Sequence, residues 1–250
     1  MKSGKQRTTA AFVLALAVLV AVRMRGDIPG YGDLHIWLIG NVHLLAARVV
    51  GPLLLVGASL LLTRFAAGKG NTTEALGLRA PVGHGLLLGF VIGLPMLLQA
   101  PFSASGFAFT IDMLHAIVTA PFNEEVFFRG MLVLVPVYVG GHRFWPFAIG
   151  AGLLFGSVHV PWDDRIGMQY FGTFAATTCG GIWYAWLLRC FDRNLWLTVS
   201  LHATMNAAWA LFGVADSAAG ALWPNVGRGL TIALGTVLAL RHVRRGQASG

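Results

Sequence analysis

Long apolar runs separated by brief polar punctuation are the feature that most restricts this chain. They fall near 8–22, 35–63, 84–100, 107–139, 145–160, 168–189, 194–213 and 222–241. Most can cross the roughly 30 Å hydrocarbon core of a bilayer at about 1.5 Å per residue. A soluble globule needs a polar outer face on every element, and the residues for one are missing. Of 250 residues, 56% are apolar and only 11% charged, against roughly 25% charged in an ordinary soluble domain. Lipid is therefore the solvent for most of the chain. A backbone in lipid must satisfy its hydrogen bonds within itself, so the spans are helices. The expected fold is an all-α polytopic membrane protein, a single multi-pass domain over 1–250 with about eight transmembrane helices.

The punctuation carries further information. The first run follows Lys2, Lys5 and Arg7 as in a signal peptide, but Arg23 and Arg25 close it with no small-residue cleavage site before them, so it reads as a retained anchor. The second run holds Asn41, His43, Arg48 and Gly51-Pro52, which places its first half in the interface. Gly68-Lys69-Gly70-Asn71 is the clearest loop. The fourth region is too long for one span, and Pro121 is expected to break or kink it just before an acidic pair.

The formal charge of +8 would suggest nucleic acid in a soluble protein. Here no basic stripe interleaves with aromatics, so no nucleic-acid partner is expected. Counting eight spans from an inner start puts Lys2, Lys5, Arg7, Arg64, Lys69, Arg79, Arg143, Arg189, Arg193, Arg241, Arg244 and Arg245 on one side. Only Arg23, Arg25, Arg165 and Arg228 fall on the other. The positive-inside rule then predicts both termini in the cytoplasm. Cys179 and Cys190 lie about 16 Å apart on one helix, too far to bridge, and read as small buried hydrophobes.

Ionisable groups within lipid-embedded segments are costly and mark function. Three clusters qualify. In Asn123-Glu124-Glu125-Val126-Phe127-Phe128-Arg129, Glu125 and Arg129 are i,i+4 neighbours able to form a buried ion pair. Glu124 points about 100° away, so it must find a partner on another helix or be partly protonated by desolvation. A carboxylate in a dry site suits a general base for water, and a purely structural charge network is the competing reading. In Phe155-Gly156-Ser157-Val158-His159, Phe155 and His159 share a face. His202-Ala203-Thr204-Met205-Asn206 sets an imidazole and a carboxamide one turn apart, both able to donate to one oxygen, which suits an oxyanion site as well as helix-to-helix hydrogen bonding.

Taken together, Glu-Glu-x-x-x-Arg, Phe-x-x-x-His and His-x-x-x-Asn, in that order along a hydrophobic chain, resemble the type II CAAX prenyl endopeptidase and bacteriocin-processing (CPBP) family of intramembrane proteases. The resemblance covers 121–209, with Asn123 a small departure at the position before the acidic pair. It implies an eight-helix core enclosing an intramembrane active site, with Glu124 and His159 activating a water, His202 and Asn206 steadying the oxyanion, and Glu125, Arg129 and Phe155 in support. The implied enzyme is a hydrolase cleaving a peptide bond of a membrane-associated protein or peptide, of which a prenylated CAAX-type C-terminus is one form. Its location would be the plasma or inner membrane of a prokaryote, or the endoplasmic reticulum of a eukaryote.

No cofactor is favoured, although Glu124, His159 and His202 could supply one carboxylate and two imidazoles to a zinc ion. The His-Glu-x-x-His helix of ordinary zinc proteases is missing from the sequence. Ser103-Ala104-Ser105-Gly106 faintly resembles a rhomboid serine motif but reads as linker, and Asp163-Asp164-Arg165 reads as a solvated loop. His35, His43, His84, His115, His142 and His242 lack matching partners in the sequence. Two rival readings are a catalytically silent immunity or scaffold protein of the same fold and a small-solute transporter. The transporter reading lacks the internal repeat and paired broken helices it calls for.

Overall fold

A computed structural model describes residues 2–24, 31–42, 44–103, 106–111, 113–160, 168–214 and 221–248. The described residues are helical, with no strand among them. In chain order the helices are α1 (Lys2–Arg23), α2 (Tyr31–Asn41), α3 (Leu44–Ala67), α4 (Thr72–Ala75), α5 (Val82–Ser103), π1 (His115–Thr119), α6 (Ala120–Glu124), π2 (Glu125–Val139), α7 (Phe144–Val158), α8 (Met168–Cys190), α9 (Leu195–Phe212) and α10 (Leu222–Ala248). Among the described residues, three stretches, Gly4–Arg23, Arg48–Ala67 and Val82–Phe102, are long and apolar enough to cross a membrane. The expected run at 35–63 is divided between α2 and α3. His43, Asp163, Asp164, Arg165, Ala104 and Ser105 lie outside the described residues.

The central element is π2, buried from Glu125 to Pro136. Helices α1, α3 and α7 pack around it, while α5 lies along α9 and α10, and α7 along α8. Close approach between helices comes from small residues. Gly85, Gly89 and Gly93 recur every four residues on α5, and a Cβ on any of them would strike α9 at Trp196, Leu201 or Thr204. Gly152 and Gly156 on α7 face Ile182 and Thr178 of α8 in the same way.

Polarity is distributed for lipid rather than water. Leu53, Leu61, Leu87, Leu98 and Phe102 point outward, whereas Glu125, Arg129 and His202 are buried.

Pro121 does not break its region. Backbone winding continues from π1 through α6 into π2, and the wide turn at this point lets Ala120 N–H reach back to His115 O. Pro121 itself occupies the opening turn of α6, where its missing N–H is least costly. The two cysteines also differ from expectation. Both are free, but Cys179 is exposed and Cys190 half-buried, on a helix face left open to the surroundings.

One end of the bundle gathers the basic residues. Thr9 Oγ1 lies 3.5 Å from His142 Nε2, and the Arg7 guanidinium covers Gly68. Asn194 Nδ2 donates to Pro81 O at 3.1 Å, and His242 meets Asp192 at 3.3 Å. These contacts bring together the N-terminus of α1, the end of α3, the start of α5, the π2–α7 turn, the α8–α9 turn and the end of α10. At the other end, Arg23 Nη2 donates to Val160 O at 3.1 Å.

The chain between α3 and α5 sets the depth of α9. Leu76 is fully buried and seats on Gly130, while Gly77, at φ +76°, brings its backbone against Leu134 and Leu195. An L side chain is strained at that φ, so glycine permits the turn. Leu195 N–H then donates to Gly77 O at 3.2 Å. Helix α9 therefore starts several residues inside the end of π2, and Asn194 caps it by accepting from Trp196 N–H at 3.1 Å.

Candidate active site

Three elements deliver the site. The α6–π2 junction carries Glu124 and Glu125, the end of α7 carries His159, and the middle of α9 carries His202. His159 stands 15 residues beyond the start of α7, about 22 Å along the axis, and His202 only seven beyond the start of α9, about 11 Å. The inward start of α9 on the Leu76–Gly77 turn brings the two imidazoles to a common depth.

Arg129 Nη1 lies 3.1 Å from Glu125 Oε1, with side-chain exposures of 2% and 0%. The guanidinium stacks on Phe155, 4.1 Å from its centroid, and faces Tyr184 at 5.3 Å. A buried cation is thus surrounded by a carboxylate and two aromatic faces, the environment in which cation–π attraction is strongest. The same Glu125 Oε1 accepts from His202 Nδ1–H at 2.9 Å. Phe155 packs on both imidazoles, with ring centroids 4.4 Å from His159 and 6.0 Å from His202.

Tautomers follow from these bonds. His159 Nδ1 lies 2.7 Å from Phe155 O, and a carbonyl can only accept, so Nδ1 carries hydrogen. His202 Nδ1 carries hydrogen toward Glu125 for the same reason. A ring that is neutral then has its lone pair on Nε2. Both Nε2 atoms turn toward Glu124 Oε2, at 4.0 Å from His159 and 3.7 Å from His202. The Glu124 side chain is 23% exposed, so the junction opens outward on one side.

Asn206 is committed elsewhere in part. Its Nδ2 donates to Ala116 O on π1 at 2.8 Å, which pins π1 against α9. An amide nitrogen has two hydrogens, so one remains. Asn123 is buried and its Oδ1 accepts no hydrogen bond among the described residues.

For a tetrahedral zinc with ligands at about 2.0–2.1 Å, ligand atoms sit about 3.3–3.4 Å from one another. The separations of 3.7 and 4.0 Å around Glu124 Oε2 are wider. Among the described residues, no group of three His, Cys, Asp or Glu side chains has a metal-holding arrangement.

Sequence reasoning missed Tyr184, whose ring meets His202 edge-on at 6.0 Å. Its only signal is a tyrosine three residues after the Gly180-Gly181 pair. It also missed partners for three histidines. His115 Nδ1 meets Thr119 Oγ1 at 2.8 Å, and His142 and His242 pair with Thr9 and Asp192.

Residues 106–208 match the model of a protein family described as Rce1-like, type II CAAX prenyl endopeptidase. The match contains Glu124, Glu125, Arg129, His159, His202 and Asn206. No curated protein and no solved structure matches the chain.

Proposed function

We propose that the chain, whose residues 106–208 match the model of the Rce1-like family of type II CAAX prenyl endopeptidases, hydrolyses a peptide bond of a membrane-associated substrate by a metal-free, glutamate-based mechanism. One observation supports this reading above the others. The Nε2 atoms of His159 and His202 face Glu124 Oε2 at 4.0 and 3.7 Å within an apolar bundle. These separations exceed a direct hydrogen bond, and a water molecule among them would donate to Glu124 Oε2 and His159 Nε2 and accept from the Nε2–H of a protonated His202.

In the proposed reaction Glu124 takes a proton from that water while His159 orients it, and the water oxygen bonds to the scissile carbonyl carbon. The carbonyl oxygen becomes the oxyanion. His202 and the second N–H of Asn206 stabilise it, His202 acting as imidazolium. With His202 so charged, Glu124, Glu125, Arg129 and His202 sum to zero net charge, which is favourable for a buried cluster. Collapse breaks the C–N bond, and the proton held by Glu124 passes to the leaving amine. Glu125, Arg129 and Phe155 keep His202 in position.

The substrate class is a protein or peptide at the membrane, and the family points to a lipidated, CAAX-type C-terminus. Bilayer lipid is the other partner. With the basic end of the bundle on the cytoplasmic side, both termini face the cytoplasm. The test is the purified protein in detergent with a prenyl-peptide library, comparing wild type with Glu124→Gln. Cleavage by wild type alone supports the proposal, and equal cleavage by both excludes Glu124 as the base.

A further inference from the structure

A cleft of about 550 Å³ opens at the basic end of the bundle, between the last turn of π2, the start of α7 and the last turn of α8. Its walls include Tyr138, His142, Arg143, Phe144, Trp145 and Arg189, with no acidic residue among the described residues that line it. His159 lies at the far end of α7, about 22 Å away, so the cleft is separate from the glutamate site.

Three features give the cleft the chemistry of an anion site. Arg143 and Arg189 make no ion pair among the described residues. Arg189 is held over the Phe144 ring at 5.0 Å, so its guanidinium is oriented before any ligand arrives. Arg143, at the N-cap of α7, offers no side-chain hydrogen bond to the first amides of that 15-residue helix, whose N-terminus opens beside Phe144 and Trp145. The N–H groups of Phe144 and Trp145 at the opening turn, where Pro146 has none, and the helix dipole add to the two cations there.

What lies next to the cleft identifies the source of the anion. Trp145, Ile149 and Leu153 follow at four-residue intervals on α7 and are 50%, 44% and 45% exposed. They form an apolar track that leads from the cleft along the outside of the helix. Trp145 and the half-exposed Tyr138 stand at its head, as interfacial aromatics do. A soluble phosphate would use the arginines and leave the track bare, whereas a phospholipid would use both. We infer that this cleft binds the phosphate headgroup of an anionic phospholipid, with an acyl chain along Trp145, Ile149 and Leu153.

The test uses the full chain in neutral detergent, with thermal unfolding and native mass spectrometry as readouts. The probes are dioleoyl phosphatidylglycerol, dioleoyl phosphatidylcholine and inorganic phosphate. Wild type should retain phosphatidylglycerol on the order of tenfold better than phosphatidylcholine and unfold at higher temperature with it, since each arginine near an anionic headgroup strengthens binding several-fold. The R143Q/R189Q pair should lose that preference, and R143K/R189K should keep most of it. Trp145→Ala should weaken retention of the lipid without altering any response to inorganic phosphate. No lipid preference in wild type, or an undiminished one in R143Q/R189Q, overturns the inference. So does stabilisation by inorganic phosphate equal to that by the lipid. If the double variant fails to accumulate, R143Q alone, on an exposed turn, is judged by the same criterion.

Discussion

His202 Nδ1 donates to Glu125 Oε1 across 2.9 Å, and that same oxygen carries the ion pair to Arg129 at 3.1 Å. One carboxylate oxygen therefore links π2 internally and ties it to α9. Glu125→Gln should remove the charge that both partners face and strand Arg129, which is 2% exposed. Breaking one side of a buried pair costs about 3–5 kcal/mol. Folded yield and unfolding temperature in detergent should fall together for Glu125→Gln and for Arg129→Gln. Two stable variants would show that the buried Glu125–Arg129 pair does not stabilise the fold.

Glu124, one residue earlier, should behave in the opposite way. Its nearest nitrogen atoms stand at 3.7 and 4.0 Å, and its side chain is partly exposed. Glu124→Gln keeps the shape and should change stability by about 0.5 kcal/mol or less, while peptide cleavage disappears. The contrast between adjacent glutamates, one read by calorimetry and the other by turnover, separates a base from a structural charge.

How far these contacts were legible in the sequence differs from residue to residue. The Glu125–Arg129 pair was readable because both partners lie on one local segment, and local spacing survives the change from α to π winding. The ring contact of Phe155 with His159 was readable for the same reason. The partner of Asn206 was not: Ala116 O is a backbone group on π1, and nothing in its side chain advertises it. Tyr184 was hidden because its contacts depend on how α8 lies against π2. The common depth of His159 and His202 was hidden too, since it depends on Leu76 being drawn into the bundle against Gly130. Periodicity reports faces of helices, and only packing sets their relative heights.

Helix contact at the site depends on one missing side chain. A Cβ at Gly156 would collide with Thr178 Oγ1 and crowd Phe174 O at 2.9 Å. Gly156→Ala should therefore push α7 from α8 and cost about 1–3 kcal/mol as overpacking. His159 stands three residues on, so turnover should fall with it. Gly156→Ala combined with Thr178→Ala removes the colliding hydroxyl and should recover part of the unfolding temperature. No recovery would place the strain elsewhere.

Orientation can be read directly. A reporter that fluoresces only in the cytoplasm should light up when fused after Gly250, because α10 ends beside the basic α8–α9 turn. A reporter active only outside should work when inserted after Pro161. The reverse pattern at either position would invert the assignment of the basic end to the cytoplasm.

Asn206 tests the oxyanion. Its bond to Ala116 O is one neutral hydrogen bond, worth about 1 kcal/mol of stability. Loss of an oxyanion donor costs roughly 10²–10³ in turnover. Asn206→Ala should therefore lose activity far beyond its loss of stability, with substrate binding little changed. If activity falls only in step with unfolding, the carboxamide serves π1 and not the reaction. His202→Ala should also lose turnover, and the double variant should lose less than the product of the two factors, since both donors serve one oxygen. A zinc mechanism gives a different result: His202→Ala would release a stoichiometric ion, and a chelator would silence the wild type. Elemental analysis beside turnover for the wild type and these variants decides between them. Stoichiometric zinc in active wild type, lost in His202→Ala, would replace the glutamate mechanism with a metal-based one and leave the endopeptidase reading in place.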